Sequence, residues 1–171
     1  YTDVILAEHL WVQVVFGQAY KGISLAVAVA IRLSVLSGSI GYAFNRKETK
    51  HHGEGGTIVG ASLKNQKVLI VDDVMSTGET AGKAIETIIA NGGIPIGYVV
   101  AFDRQELDTS GVFSATHGFQ VRFCGIPVRS ISVLGDLISV LSTDDSMKNE
   151  LGKILAYNKQ YGAFIQPAKK V

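Results

Sequence analysis

Cysteine is almost missing. Cys124 stands alone in 171 residues, so no disulfide can close within the chain and no cysteine-rich zinc site can be built. A reducing, cytosolic setting is therefore expected. An excess of charge of one sign is missing too. Sixteen Lys and Arg against fifteen Asp and Glu leave a net charge of +1, which argues against a general binder of nucleic acid or membrane surfaces. No apolar run approaches the roughly 20 residues of a membrane span, and the first residues lack the basic-then-apolar pattern of a signal peptide. Repeats, linkers and composition breaks are absent as well. With 47% hydrophobic and 18% charged residues, the chain reads as a single soluble domain with a substantial core.

Residues 68–80 organise the rest. Val68-Leu69-Ile70-Val71 is a run of four apolar residues, three of them β-branched, as expected of a strand buried on both faces. Asp72-Asp73-Val74-Met75-Ser76-Thr77-Gly78-Glu79-Thr80 follows and opens a helix that continues to about residue 90. In an open parallel sheet, ligands sit at the carboxyl ends of strands, and a helix N-terminus offers unpaired N–H groups to an anion. Ser76, Thr77, Gly78 and Thr80 suit a phosphate, with hydroxyl donors and a glycine that lets the backbone come close. Asp72 and Asp73 would repel a bare phosphate, however. A sugar phosphate removes the conflict, because the carboxylates accept from ribose hydroxyls while the loop holds the 5-phosphate. An acidic turn that merely caps a helix is the alternative.

The remaining pattern predicts an α/β domain: a mainly parallel, twisted sheet with helices on both faces. A helix tail is expected over residues 1–9, strands at 12–16, 41–44, 94–101 and 126–133, and helices at about 22–36, 114–123, 134–141 and 145–161, with a frayed tail to residue 171. The helix at 22–36 is apolar almost all round, as if packed tightly on a sheet. Four strands each hand over to a polar loop, at residues 17–21, 45–52, 72–80 and 103–106. Right-handed crossovers would bring all four loops to one edge. Residues 45–56 carry three basic residues, two acids, two histidines and three glycines, and almost nothing apolar. Such a stretch cannot bury itself, and it reads as a mobile surface excursion. Loops of this kind close over anionic substrates, although a solvated hairpin without a task fits equally. His51 and His52 are not read as metal ligands, because adjacent side chains on a strand diverge and no third ligand is suitably spaced.

Residues 68–80 resemble the phosphoribosyl pyrophosphate (PRPP) motif of type I phosphoribosyltransferases. Phe16-Gly17-Gln18-Ala19-Tyr20-Lys21-Gly22, the basic stretch 44–56 and Phe102-Asp103-Arg104-Gln105-Glu106 are similar, in the same order, to orotate phosphoribosyltransferases. The resemblance implies transfer of the phosphoribosyl group of PRPP to orotate, giving orotidine 5′-monophosphate and pyrophosphate in pyrimidine biosynthesis. It implies Asp72 and Asp73 on the ribose, Val74 to Thr80 around the 5-phosphate (Val74, Met75, Ser76, Thr77, Gly78, Glu79, Thr80), and Lys21 on the pyrophosphate. Arg46, Lys47, Lys50 and His52 would reach the active site of a neighbouring subunit in a homodimer, with Lys50 catalytic beside Asp72 and Asp73. Orotate would be held by Arg104, whose fork suits a carboxylate, and by the region of Ser76, although from the residues alone a surface ion pair of Arg104 with Glu106 fits as well. Mg²⁺ would arrive with PRPP, held mainly by its oxygens rather than by protein ligands.

Two departures from the family pattern stand out. Gln18 takes the place of a proline in the loop at 17–22, where the family often has a strained peptide. The chain also starts at Tyr1 rather than Met, as expected of a fragment or processed product, without most of the family's N-terminal hood over the base. Three other readings remain open on sequence alone. A purine phosphoribosyltransferase shares the central motif, and a PRPP-binding regulatory protein would keep the site without catalysis. A receiver-like signalling domain shares the acid-ended strand but would place it near the start of the chain.

Overall fold

The computed structural model describes residues 1–8, 10–46, 57–75 and 78–163. Helix α1 (Thr2–Ala7) leads to strand β1 (Val14–Gly17), helix α2 (Lys21–Ser37) and strand β2 (Gly41–Asn45). Strand β3 (Ile58–Gly60), strand β4 (Lys67–Met75), helix α3 (Glu79–Ala90) and strand β5 (Ile94–Asp103) follow. Helix α4 (Ala115–Arg122), strand β6 (Val128–Val133), helix α5 (Leu134–Leu141), a 3-10 turn (Asp145–Met147) and helix α6 (Lys148–Tyr161) complete the order.

The six strands form one sheet in the order β3-β2-β1-β4-β5-β6. All neighbours are parallel except β3, which runs antiparallel to β2. The apolar run explains why β4 is central. Val68, Leu69, Ile70 and Val71 are all fully buried, and burying each such side chain stabilises the fold by about 1.5–3 kcal/mol. Alternation divides them between two cores. Val68 and Ile70 join Phe16, Ile85, Ile88, Tyr98 and Phe119 on the side of α3 and α4. Leu69 and Val71 join Ile5, Val15, Ala26, Val29 and Leu33 on the side of α1 and α2. The sheet is therefore covered on both faces, as expected.

Three features differ from expectation. Strand β3 went unforeseen: it is three residues long and draws its order from pairing with β2, Ala43 with Gly60 and Asn45 with Ile58. Strand β4 continues through Asp72 to Met75, because the parallel ladder to β5 persists to the pairs Val74 with Phe102 and Met75 with Asp103. Helix α2 buries only one side. Ile31 and Val35 are exposed, since apolar residues outnumber the positions that a single sheet face can cover.

Candidate active site

The strand order reverses between β1 and β4: the chain after β1 moves to β2 on one side, and the chain entering β4 returns to the other. Such a switch point opens a crevice above the carboxyl ends of the two strands. Two loops line it, one leaving β1 and one leaving β4.

The β1 loop is tight for a steric reason. A side chain on Gly17 would overlap the carbonyl of Gly22, and one on Gly22 would press on the backbone of Gly17 and Val71. With both glycines in place, Gly22 N–H donates to the Gln18 carbonyl at 2.9 Å. From the end of β2, Asn45 accepts the Ala19 N–H at 2.9 Å. The Ala19–Tyr20 peptide bond is cis. Gln18 itself is buried, and its Oε1 has no partner among the described residues. This frame starts α2 at Lys21, whose Nζ donates to Asp73 Oδ2 at 2.6 Å across the switch point.

The carboxylates on β4 occupy different surroundings. Asp72 is buried; its Oδ1 accepts the Asp73 N–H at 2.9 Å and its Oδ2 accepts the Tyr98 hydroxyl at 3.0 Å. Burial raises its pKa above the usual carboxylate value, and the neighbouring Asp73 adds to the rise, against the Asp73 N–H and Tyr98 bonds. Asp73 is more open. Partial burial pushes its pKa up, but the Lys21 ammonium and the Val74 N–H outweigh this and hold it below the ordinary value. The two acids therefore titrate apart, with Asp73 the more persistently charged. Tyr1 closes over the strand from the α1 side, its hydroxyl donating to the Asp72 carbonyl at 2.7 Å. Burial and both aspartates push the Tyr1 phenol up to about 12.

Beyond Met75 the chain turns into α3. Gly78 caps the helix in the left-handed region at φ +79°, a conformation that favours glycine, and Glu79 and Thr80 form its exposed first turn. Ser76 and Thr77 lie outside the described residues. The first turn of α3, Lys21 and the two acids thus share one edge of the sheet. The fourth loop, after β5, joins them. Arg104 Nη1 donates to Glu106 Oε1 at 3.1 Å and to the Tyr157 hydroxyl at 3.3 Å, and Tyr157 also bonds Glu106. The surface ion pair that competed with a ligand role for Arg104 therefore exists. Among the described residues, Arg104 is engaged through Nη1 of its five-donor fork. Arg104 and Lys153 border a largely apolar cavity of about 390 Å³ that is otherwise lined by Phe102, Leu134, Leu137, Ile154 and Tyr157. A second cleft, lined by Leu6, Leu10, Trp11, Val12, Ser37 and Ile40, lies at the opposite edge of the sheet, away from the acids.

Arg46 marks the base of the basic stretch. Its N–H donates to the Thr57 carbonyl at 2.8 Å, so the two ends of the span stand side by side at the outer edge of the sheet. Lys47, Lys50, His51 and His52 lie outside the described residues. Among the described residues no cluster of three or more His, Cys, Asp or Glu could hold a metal ion.

Comparison with known proteins decides among the readings of this site. The phosphoribosyl transferase domain family matches residues 9–119. Orotate phosphoribosyltransferase of Kluyveromyces lactis is 45% identical over 170 residues, covering 95% of this chain and 74% of that protein. The Nitrosococcus oceani enzyme of the same name is 47% identical over 163 residues, covering 95% and 73%. The chain belongs to the orotate phosphoribosyltransferase family. The crystal structure of the Francisella tularensis orotate phosphoribosyltransferase agrees in fold, with a TM-score of 0.76 at 30% identity over 95% of this chain and 77% of that one. For a family member, the signalling-domain alternative falls away.

Sequence reasoning named Asp72, Asp73, Lys21, Gly78, Glu79, Thr80 and Arg104, and the fold brings their elements to one sheet edge. It missed Tyr98 and Tyr1 on Asp72, and Tyr157 on Arg104. The Arg104–Glu106 pair, two residues apart, carried a local signal and is present.

Proposed function

We propose that this chain transfers the phosphoribosyl group of PRPP to orotate, releasing pyrophosphate and forming orotidine 5′-monophosphate, with the residues above in defined roles. The observation that carries the residue assignment is the meeting of Lys21, Asp72, Asp73 and the N-terminus of α3 at the switch point of the sheet. A ribose 5-phosphate spans such a crevice: carboxylates accept its hydroxyls, and the helix start takes its phosphate. Asp73 and Lys21 satisfy each other across the crevice, in an exposed pair that contributes little to stability. PRPP offers better partners to both, with hydroxyls for the carboxylate and pyrophosphate oxygens for the ammonium.

The chemistry asks for positioning and electrostatics rather than a covalent nucleophile. The ring nitrogen of orotate, already deprotonated, attacks the anomeric carbon as the bond to pyrophosphate breaks, through a state in which the ribose carries positive character. Asp72 and Asp73 hold the sugar and place negative charge near that developing cation. Lys21 meets the charge gathering on the leaving group. In this reading Lys50, Lys47, Arg46 and His52 add to it from a second subunit, so the working unit is a homodimer. Mg²⁺ supplies further neutralisation of pyrophosphate when bound. The oxygen-only character of the acids suits such a hard cation, and their existing bonds to Tyr98 and Lys21 favour metal held mainly by PRPP. The lone Cys124 supports a reducing, cytosolic compartment.

Arg104 supports orotate over a purine base, because its fork pairs with a carboxylate that purines lack. Replacing Arg104 by Ala is expected to raise the KM for orotate at least tenfold, as loss of a charge-assisted bond of about 1.5–3 kcal/mol implies. The KM for PRPP should stay unchanged. Steady-state assays that vary each substrate in turn check this, and an unaltered orotate KM would contradict the assignment.

A further inference from the structure

Asp72 is the most demanding group in the site. It is nearly inaccessible, yet it must be ionised to accept from a sugar, and a buried carboxylate is costly unless it is well hydrogen-bonded. What meets this need is a side chain delivered from the neighbouring strand. Tyr98 stands on β5 opposite Ile70, one diagonal step from Asp72 on the same face, which is within the reach of an aromatic side chain. Its ring is 1% exposed and packs edge-on against Phe119 of α4, with centroids 5.6 Å apart. Packing alone does not call for the hydroxyl. A phenylalanine would fill the same space, and a buried phenol without an acceptor is destabilising. The hydroxyl donates to Asp72 Oδ2.

We infer that Tyr98 is a positioning residue for PRPP: its hydroxyl and the Asp73 N–H grip the two oxygens of Asp72 and fix the carboxylate toward the ribose. Each oxygen has a second acceptor site, so this grip leaves capacity for the sugar hydroxyls. It also favours the ionised form of Asp72 against the burial that opposes it. The groups bearing on Asp72 are Asp73 on its own strand, with Lys21 behind it, Tyr98 from β5 and Tyr1 from the α1 side. Of these, Tyr98 and the Asp73 N–H donate to the carboxylate oxygens.

The inference rests on the reading that Asp72 contacts the ribose, and the test separates the two. PRPP affinity is measured by calorimetry with Mg²⁺ present, and both KM values by steady-state assay, for the full chain and for Tyr98→Phe, Asp72→Asn, their combination, and Phe119→Leu. Tyr98→Phe should weaken PRPP binding about tenfold, the scale of one hydrogen bond to a charged group, with the orotate KM unchanged. On the Asp72→Asn background the same substitution should cost little further, since an amide oxygen can still accept from Tyr98 but the carboxylate that Tyr98 holds toward the ribose is gone. Phe119→Leu, which removes the packing partner but keeps the hydroxyl, should lower the melting temperature and leave PRPP affinity intact. Wild-type PRPP binding by Tyr98→Phe would overturn the inference. So would an equal loss in Phe119→Leu, or a tenfold loss that persists on the Asp72→Asn background. If Asp72→Asn alone binds PRPP normally, the ribose reading itself fails.

Discussion

Replacing Asp72 and Asp73 together by asparagine is expected to weaken PRPP binding at least tenfold, about 1.4 kcal/mol, and to depress turnover further. Asparagine keeps the size of each side chain, so the loss would report charge rather than packing. Folding should survive. Asp73 is half-open and its pair with Lys21 is solvent-exposed, while asparagine in place of Asp72 can still accept from Tyr98. The same acids predict a pH dependence. Asp72 has a raised pKa, so acidification protonates it before an ordinary carboxylate; Asp73, with a lowered pKa, keeps its charge further into acid. PRPP affinity should therefore begin to fall on the acid side above the usual aspartate range, and that early limb should vanish in Asp72→Asn. The stability signs differ between the two. A raised folded-state pKa at Asp72 means that its ionisation opposes folding as pH rises, whereas Asp73 contributes stability above its unfolded pKa that is lost as pH falls through its lower folded value. Calorimetric titration across pH, with melting curves alongside, checks both. Unchanged affinity in a folded double variant would remove the acids from the ribose.

The second large effect concerns the span between β2 and β3. Lys50→Ala is expected to reduce turnover by about 10²-fold, the usual cost of removing one group that stabilises developing charge. Mixing that variant with the Asp72→Asn, Asp73→Asn chain should restore part of the activity, to a level above that of either impaired parent. The reason is geometric. If Lys50 serves a partner's site, a mixed dimer contains one site with intact acids and an intact lysine. Arg46 and Thr57 bring the ends of the span together at the free edge of the sheet, two strands away from β4, which is a suitable base for acting outward. Activity measured after mixing and re-equilibration, with heterodimers verified by differential tagging, decides the matter. No recovery in verified heterodimers would assign Lys50 to its own subunit.

What could be read from sequence followed from local rules. The apolar run at β4, the Asn91-Gly92-Gly93 stop after α3 and the Leu134–Leu141 helix all carry their signals within a few residues. The parallel order followed once strands alternated with helices. The failures are nonlocal. Asp72 to Met75 look like a loop by composition, yet the ladder from β5 extends the strand through them. β3 is too short to announce itself, and it depends on Gly60 at φ +103°, where a side chain would collide with the Tyr42 carbonyl. The Tyr98 to Asp72 bond requires the register between two strands, and the hold of Tyr157 on Arg104 joins groups 53 positions apart. No periodicity reveals such contacts.

The most direct test is the choice of base at one PRPP-loaded site. The chain is incubated with PRPP and Mg²⁺ and supplied separately with orotate, adenine and hypoxanthine, and nucleotide and pyrophosphate formation are followed together. The account predicts orotidine 5′-monophosphate and pyrophosphate in equal amounts from orotate, and no nucleotide from either purine. Nucleotide formation from adenine or hypoxanthine, with orotate left untouched, would contradict it.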